Sequence, residues 1–198
     1  MRNYEDRAKD FIKEVFPYIV DDMSYPFAVR KHIREYNARY TRNVKVSNGV
    51  ARIALITSDY VVKFNYDEYE VDCVGGCEDE MATYEMAERE GFAYLFAKIS
   101  RFSYCGRNFY IMPRINGIGR YDDKYANDFM TQEERDWCEE HDISDLHCNN
   151  YGFRKGRVCI IDYACTNKNS FSFTSESWSP FTNSSSSDKI NYFTGANQ

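Results

Sequence analysis

No apolar run in this chain of 198 residues is long enough to span a bilayer, and the first residues, Met1-Arg2-Asn3-Tyr4-Glu5-Asp6-Arg7, lack the apolar core of a signal peptide. The expectation is a protein that is neither membrane-embedded nor exported. Long basic runs are missing too: 25 Lys and Arg stand against 31 Asp and Glu, for a net charge of −6, which disfavours nucleic acid as a partner. The only histidines are His32, His141 and His147, and none sits in a His-Glu-x-x-His spacing, so nothing supports a zinc hydrolase. Gly75-Gly76 is not followed by Lys-Ser or Lys-Thr, and reads as a hinge rather than a phosphate loop. Among the cysteines, Cys73 and Cys77 are separated by Val74, Gly75 and Gly76, longer than a zinc knuckle, and no second close pair completes four ligands. Seven reduced, mostly structural thiols in a reducing compartment are expected. No internal repeat is visible.

What is there suffices for one core. The chain is 43% hydrophobic and 17% aromatic, which fits one or two small domains, with the 17 tyrosines read as core and rim. Ala8, Phe11, Ile12, Val15 and Phe16 recur at helical spacing up to Pro17, and Phe27, Val29, Ile33 and Tyr36 predict a second helix after Pro26. From Val44 the period changes to two. Val44 and Val46, a turn at Ser47-Asn48-Gly49, Val50 to Ile56, a turn at Thr57-Ser58-Asp59, and Tyr60 to Phe64 make a three-stranded meander. The acidic stretch Asp67 to Asp72 is a solvated connection to a helix over Glu78 to Glu90, striped by Met81, Tyr84 and Ala87 and stopped by Gly91. A hairpin follows, Lys98 to Tyr104 and Phe109 to Met112 around Cys105-Gly106-Arg107-Asn108. Thr131-Gln-Glu-Glu is a capping box opening a helix that runs to about His141, and Tyr151 to Asp162 is a hairpin turning at Lys155-Gly156. From Ser170 on, Ser, Asn and Thr dominate with aperiodic aromatics, suggesting irregular segments partly docked on the core, with Ser184 to Ser187 mobile.

The chemistry concentrates in Ile143-Ser144-Asp145-Leu146-His147-Cys148-Asn149-Asn150 and Val158-Cys159-Ile160-Ile161-Asp162. An acid, an amide five positions on, and a second acid at the end of an apolar strand is a spacing that could hold metal and phosphate: Asp145 could accept a proton from an attacking hydroxyl, and Asn150 and Asp162 could supply the hard oxygens that Mg²⁺ prefers.

In order and residues the chain resembles the protein-kinase-like superfamily, including the small kinase-like proteins of bacteriophages and bacteria. Tyr60-Val61-Val62-Lys63 is similar to the Val-Ala-Ile-Lys strand, Asp145-Leu146-His147-Cys148-Asn149-Asn150 to the Asp-Leu-x-x-x-Asn catalytic loop, and Asp162-Tyr163-Ala164 stands where Asp-Phe-Gly would. The resemblance covers about Val44 to Cys165. It implies an α+β fold, a five-stranded N-lobe sheet with one αC-type helix over 44–115 and a severely shortened C-lobe over 116–169; the residue pattern adds two preceding helices over 1–43 and a tail over 170–198. It further implies that ATP and Mg²⁺ are bound, with Lys63 on the α- and β-phosphates and Glu80 as its ion-pair partner, Glu78 and Glu85 being the other possible registers. Asn48, Gly49 and Arg52 would meet phosphate, the backbone of Met112, Pro113 and Arg114 would meet adenine, and Asn150 and Asp162 would bind metal. As a charge on a helix surface, Glu80 is expected to contribute little to stability.

The departures are as specific. Ile143-Ser144 replaces the His-Arg that reads a phosphorylated activation loop, the glycine-rich loop is reduced to Ser47-Asn48-Gly49-Val50-Ala51-Arg52, and Ala164 replaces a glycine. The implied function is ATP- and Mg-dependent transfer of the γ-phosphate to a hydroxyl, of a protein rather than a small molecule, in the cytoplasm (a host's, if phage-encoded). Burying unpaired acids together without a metal is costly, which argues for a working site. The alternatives are a pseudokinase that captures a partner protein and an enzyme that binds ATP reversed and transfers AMP. His147 is expected to make a structural hydrogen bond to backbone.

Overall fold

The computed structural model describes residues 3–49, 51–66, 76–115 and 125–163. Val50, the acidic stretch 67–72, Cys73, Gly75, Gly117 and Gly119, Ala164 and Cys165, and the Ser-rich segment 170–198 lie outside the described residues. Within them the protein is α+β, with four α-helices, a five-stranded antiparallel sheet and a separate two-stranded hairpin.

Two helices come first. Asn3 caps α1 (Tyr4–Ile19) by accepting the Asp6 N–H at 2.8 Å. The helix passes through Pro17, where the sequence predicts a stop. Pro17 lies in the last turn, so its missing N–H removes one helical hydrogen bond, and Val20 N–H still reaches the Phe16 carbonyl. Pro26 opens α2 (Pro26–Tyr40) at the first helical position, where a proline N–H is not needed. Asn37 then steers the chain into the sheet: its amide donates to Val44 O at 2.8 Å and accepts from Val44 N at 3.0 Å, as a neighbouring strand would.

The sheet comprises β1 (Lys45–Asn48), β2 (Arg52–Ile56), β3 (Tyr60–Asn65), β4 (Ser100–Tyr104) and β5 (Arg107–Pro113), in the spatial order β1-β2-β3-β5-β4. The second strand begins at Arg52, whose carbonyl accepts the Gly49 N–H at 2.9 Å. In the β4–β5 hairpin, Cys105 and Gly106 have φ of 49° and 78°, the left-handed pair that a two-residue turn between twisted strands requires.

Alternation along the strands sorts the residues into two cores. Ile53, Leu55, Val62, Phe64, Phe109 and Ile111 face α1 and α2, where Phe11 meets Tyr36 edge-on at 6.0 Å and Val29 and Ile33 are buried. The helical extension and the sheet thus share one hydrophobic cluster. On the opposite face, Tyr110 and Met112 join α3 (Cys77–Glu90), the 3₁₀ turn Ala93–Leu95, α4 (Gln132–Glu140) and the hairpin β6 (Tyr151–Arg154) and β7 (Arg157–Ile160). The expected capping box opens α4: Thr131 Oγ1 accepts Glu134 N–H at 3.3 Å and Glu134 Oε2 accepts Thr131 N–H at 2.7 Å. Cys77, Cys138 and Cys159 are buried free thiols, and burial pushes Cys138 up to about 12, which makes an inert structural thiol. Among the described residues no helix is long and apolar enough to cross a membrane.

Because the extension shares its core with the sheet, Ile33→Ala on α2 should lower the stability of the sheet with it. Ile33 is 1% exposed, so a loss of roughly 2–5 kcal/mol is expected in urea unfolding, as one transition. Melting of the helices ahead of an unaffected sheet would show two independent units.

Candidate functional site

Lys63 occupies the sheet face opposite α1 and α2, between Ala54 on β2 and Tyr110 on β5. What meets it depends on how α3 is rotated, and the start of that helix is pinned three ways. Cys77 N–H donates to Asn65 Oδ1 at 3.0 Å, Asn65 Nδ2 donates to Glu78 Oε2 at 2.5 Å, and the Tyr110 hydroxyl donates to Glu78 Oε1. With Glu78 spent on the sheet, Glu80 turns inward, and Lys63 Nζ lies 2.6 Å from its Oε1. Of the three candidate acids, Glu80 is therefore the partner; Glu85 is exposed. Lys63 also donates to the Ile161 carbonyl at 3.0 Å, which ties β3 to the segment leaving β7.

Glu80 is 0% exposed, so it is not the surface charge that the sequence suggests. It is an anion within reach of two cations: Lys63, and Arg52 Nη2 at 3.6 Å. Its Oε2 has no hydrogen-bond partner among the described residues. Removing it strands buried positive charge, which corrects the expectation of a small stability effect.

Arg52, expected on phosphate, turns into the protein instead. It is 9% exposed, donates from Nη1 to Gly76 O at 3.3 Å, and binds Asp162 Oδ1 through Nη2. Burial alone would raise the Asp162 carboxyl, but Lys63 and Arg52 outweigh it and hold the group below the ordinary carboxylate range. Burial likewise works against the Arg52 charge, and Glu80 and Asp162 more than restore it. Asp162 is consequently paired, and charge balance alone does not call for a metal here.

The loop after α4 is joined to this cluster by backbone. Asn150 O accepts Ile161 N–H at 2.7 Å and Asp162 N–H at 3.4 Å, while Asn150 Nδ2 donates to Asp145 O at 2.9 Å. The Asp145 carboxylate stays at the surface, 45% exposed, 3.3 Å from His147 Nε2. His147 Nδ1 accepts Asn149 N–H at 3.2 Å, so the neutral ring carries its proton on Nε2, toward Asp145. The expected backbone bond of His147 is present; its contact with Asp145 was not legible in the sequence. Tyr163 completes the group: its N–H donates to Glu80 Oε1 at 3.4 Å and its hydroxyl to Ala97 O at 2.7 Å.

A carboxylate and a carboxamide joined by these backbone bonds suit a hard cation such as Mg²⁺. Among the described residues no three His, Cys, Asp or Glu side chains form a metal cage, so the remaining oxygens would have to come from phosphate and water.

A cavity of about 150 Å³ opens beside Lys63 and Asp162, walled by Ser47, Ala54, Val61, Met112, Pro113, Asn149 and Ile161. Met112 and Pro113, expected to face adenine, line this cavity. Arg114 does not: its Nη1 donates to Thr57 O at 2.7 Å and its N–H to Asp59 O at 2.9 Å, on the far side of the sheet end. Asn48 and Gly49 also depart from expectation, since Asn48 Oδ1 accepts from Arg30 of α2 and Gly49 N–H is used by Arg52 O. A larger cavity of about 640 Å³ lies between α1 and the β2–β3 turn, but its walls mix Arg7, Arg42, Lys45 and Arg114 with Asp10, Glu14 and Asp59, and Arg7 and Asp59 already pair at 3.0 Å. The smaller cavity is the candidate site, because it touches the charged cluster.

Comparison with known protein families returns no matching family model, and comparison with curated proteins returns no match. The functional reading rests on the residues themselves.

The three candidate acids of α3, Glu78, Glu80 and Glu85, should separate in urea unfolding. Glu80→Ala leaves Lys63 and Arg52 short of a buried anion and should cost roughly 3–5 kcal/mol. Glu78→Ala, which loses the bonds to Asn65 and Tyr110, should cost about 1–3 kcal/mol, and exposed Glu85→Ala should stay within about 0.5 kcal/mol. Equal losses for all three would contradict this register of α3.

Proposed function

We propose that the chain is a protein-kinase-like phosphotransferase that binds ATP with Mg²⁺ and moves the γ-phosphate to a hydroxyl. The single observation that carries this reading is the buried Lys63–Glu80 pair at 2.6 Å, set beside Asp162 at the edge of a cavity. A lysine oriented by a buried glutamate presents a fixed positive charge to phosphate oxygens, and positioning with electrostatic stabilisation supplies most of the catalysis in phosphoryl transfer.

In this reading Lys63 holds the α- and β-phosphates, Glu80 orients Lys63, and the base lies against Met112 and Pro113. Asn150 and Asp162 would hold Mg²⁺, which when bound neutralises charge on the phosphate oxygens. Asp145 accepts the proton of the attacking hydroxyl. His147 Nε2 orients the Asp145 carboxylate from the side, at 3.3 Å. Exposure of Asp145 favours an acceptor on a protein surface, since a side-chain hydroxyl reaches it without entering a closed cavity. The five-stranded sheet with α3 acts as the N-lobe, and α4 with the β6–β7 hairpin acts as a shortened C-lobe.

One observation favours a second reading. Arg52 already neutralises Asp162, as in a pseudokinase that keeps the fold to grip a partner protein and has no use for a metal. Intact mass after incubation with ATP, Mg²⁺ and a pool of candidate proteins tests the proposal directly: a phosphate-sized gain on a pool protein supports transfer, an AMP-sized gain points to nucleotidyl transfer, and no gain favours the binding module. Asp145→Asn should keep nucleotide affinity and lower turnover by about 10²–10⁴-fold, read by calorimetry and by the same mass assay. Equal loss of binding and turnover would make Asp145 a structural residue.

A further inference from the structure

Arg52 and the acids around it form a closed charge set. Two cations, Lys63 and Arg52, face two anions, Glu80 and Asp162, with Arg52 between Asp162, Glu80 and the Gly76 carbonyl. A guanidinium hydrogen-bonded to Gly76 and Asp162, with Glu80 at 3.6 Å, and 9% exposed is a fixed element of the site. Asp162 is less enclosed: its side chain is 40% exposed and lines the cavity. A divalent cation brought to that carboxylate would meet Arg52 on the same group, with like charges in a partly desolvated place.

We propose that Arg52 and a divalent cation compete for Asp162, so that the guanidinium closes the metal site until a polyphosphate draws it away. This rests on the reading of Asp162 as a metal ligand. Arginine suits the exchange, because its planar fork binds phosphate oxygens as well as carboxylate. Arg52 stands at the first residue of β2, two residues before Ala54 of the cavity wall and bound to Asp162 of the same wall, so its change of partner requires side-chain rotation and no change of strand register. Metal and nucleotide then bind as a coupled pair: the phosphates remove the competing charge, and by reciprocity the metal favours the phosphates. The same move takes Arg52 off the Gly76 carbonyl, which keeps the Glu80 N–H at 3.4 Å, and so links occupancy of the cavity to the helix that carries Glu80.

The test uses Mn²⁺ alone, titrated into the nucleotide-free full chain and followed by the paramagnetic resonance of the free ion. Wild-type protein should bind Mn²⁺ weakly, and Arg52→Gln should bind it at least about tenfold more tightly, the scale on which close charge pairs couple. Adding Asp162→Asn to Arg52→Gln should abolish the gain. Circular dichroism checks the fold; if Arg52→Gln does not fold, Arg52→Lys is read instead, since a point charge cannot hold Gly76 and Asp162 together and should give a smaller gain in the same direction. Equal Mn²⁺ affinity in the wild-type and Arg52 variants, or a gain that survives Asp162→Asn, overturns the competition. The gain supports it whether or not phosphate is transferred, so a failed transfer assay in its presence counts against the catalytic reading alone.

Discussion

Four charges set side by side, three of them buried and Asp162 open to the cavity, are the constraint around which this molecule is arranged. Lys63, Arg52, Glu80 and Asp162 come from β3, β2, α3 and the exit of β7, and each is costly to bury without the others. The low-dielectric interior that makes their attraction strong also penalises any misplacement, so the four elements are held to one relative register. A buried pair of this kind is weak support for stability, since apolar residues of similar volume often serve as well. The charges border a cavity through Lys63 and Asp162, the arrangement on which the proposed use of the cluster rests.

The rest of the fold supplies the rigidity that such a cluster needs. Strand alternation gives β3 one apolar face, Tyr60, Val62 and Phe64, against α1 and α2, and that packing leaves Lys63 and Asn65 on the other side to meet α3. Asn65 and Tyr110 then fix the first turn of α3 through Glu78, and Glu80 follows two residues later, pointing inward. The second core brings the β6–β7 hairpin beneath the helix: Ala97 N–H donates to Ile160 O at 2.8 Å, and Tyr163 returns a bond to Ala97. Two apolar cores thus hold the chemistry between them.

Much of this was legible. Pro26 marked α2, Cys105-Gly106 and Lys155-Gly156 marked the hairpin turns, and Thr131 with Glu134 marked α4, because each signal is local and its geometry demands those residues. Lys63 with Glu80 was readable by resemblance, since strand and helix carry each residue at a set phase. Pro17 misled, because position within the last turn rather than residue type decides what a helical proline removes. The partner of Arg52 was missed for a different reason: Asp162 is 110 residues away, and nothing in Asn48-Gly49-Val50-Ala51-Arg52 distinguishes an arginine bound to it from one free to face phosphate. The bonds of Arg114 to Thr57 and of Asn48 to Arg30 on other elements were missed in the same way. Side-chain partners across long sequence separation are properties of the folded arrangement, and one sequence read alone shows no trace of them.

The central claim is that the Lys63–Glu80 pair organises a nucleotide site. It is tested most directly by equilibrium binding of a non-hydrolysable ATP analogue, with Mg²⁺, to wild-type protein and to Lys63→Met with its fold verified by circular dichroism. The account predicts saturable binding by the wild type and a loss of about tenfold or more in the variant, the effect of deleting a charge-assisted contact to phosphate. Absence of binding by the wild type, or equal affinity in the two proteins, would contradict it.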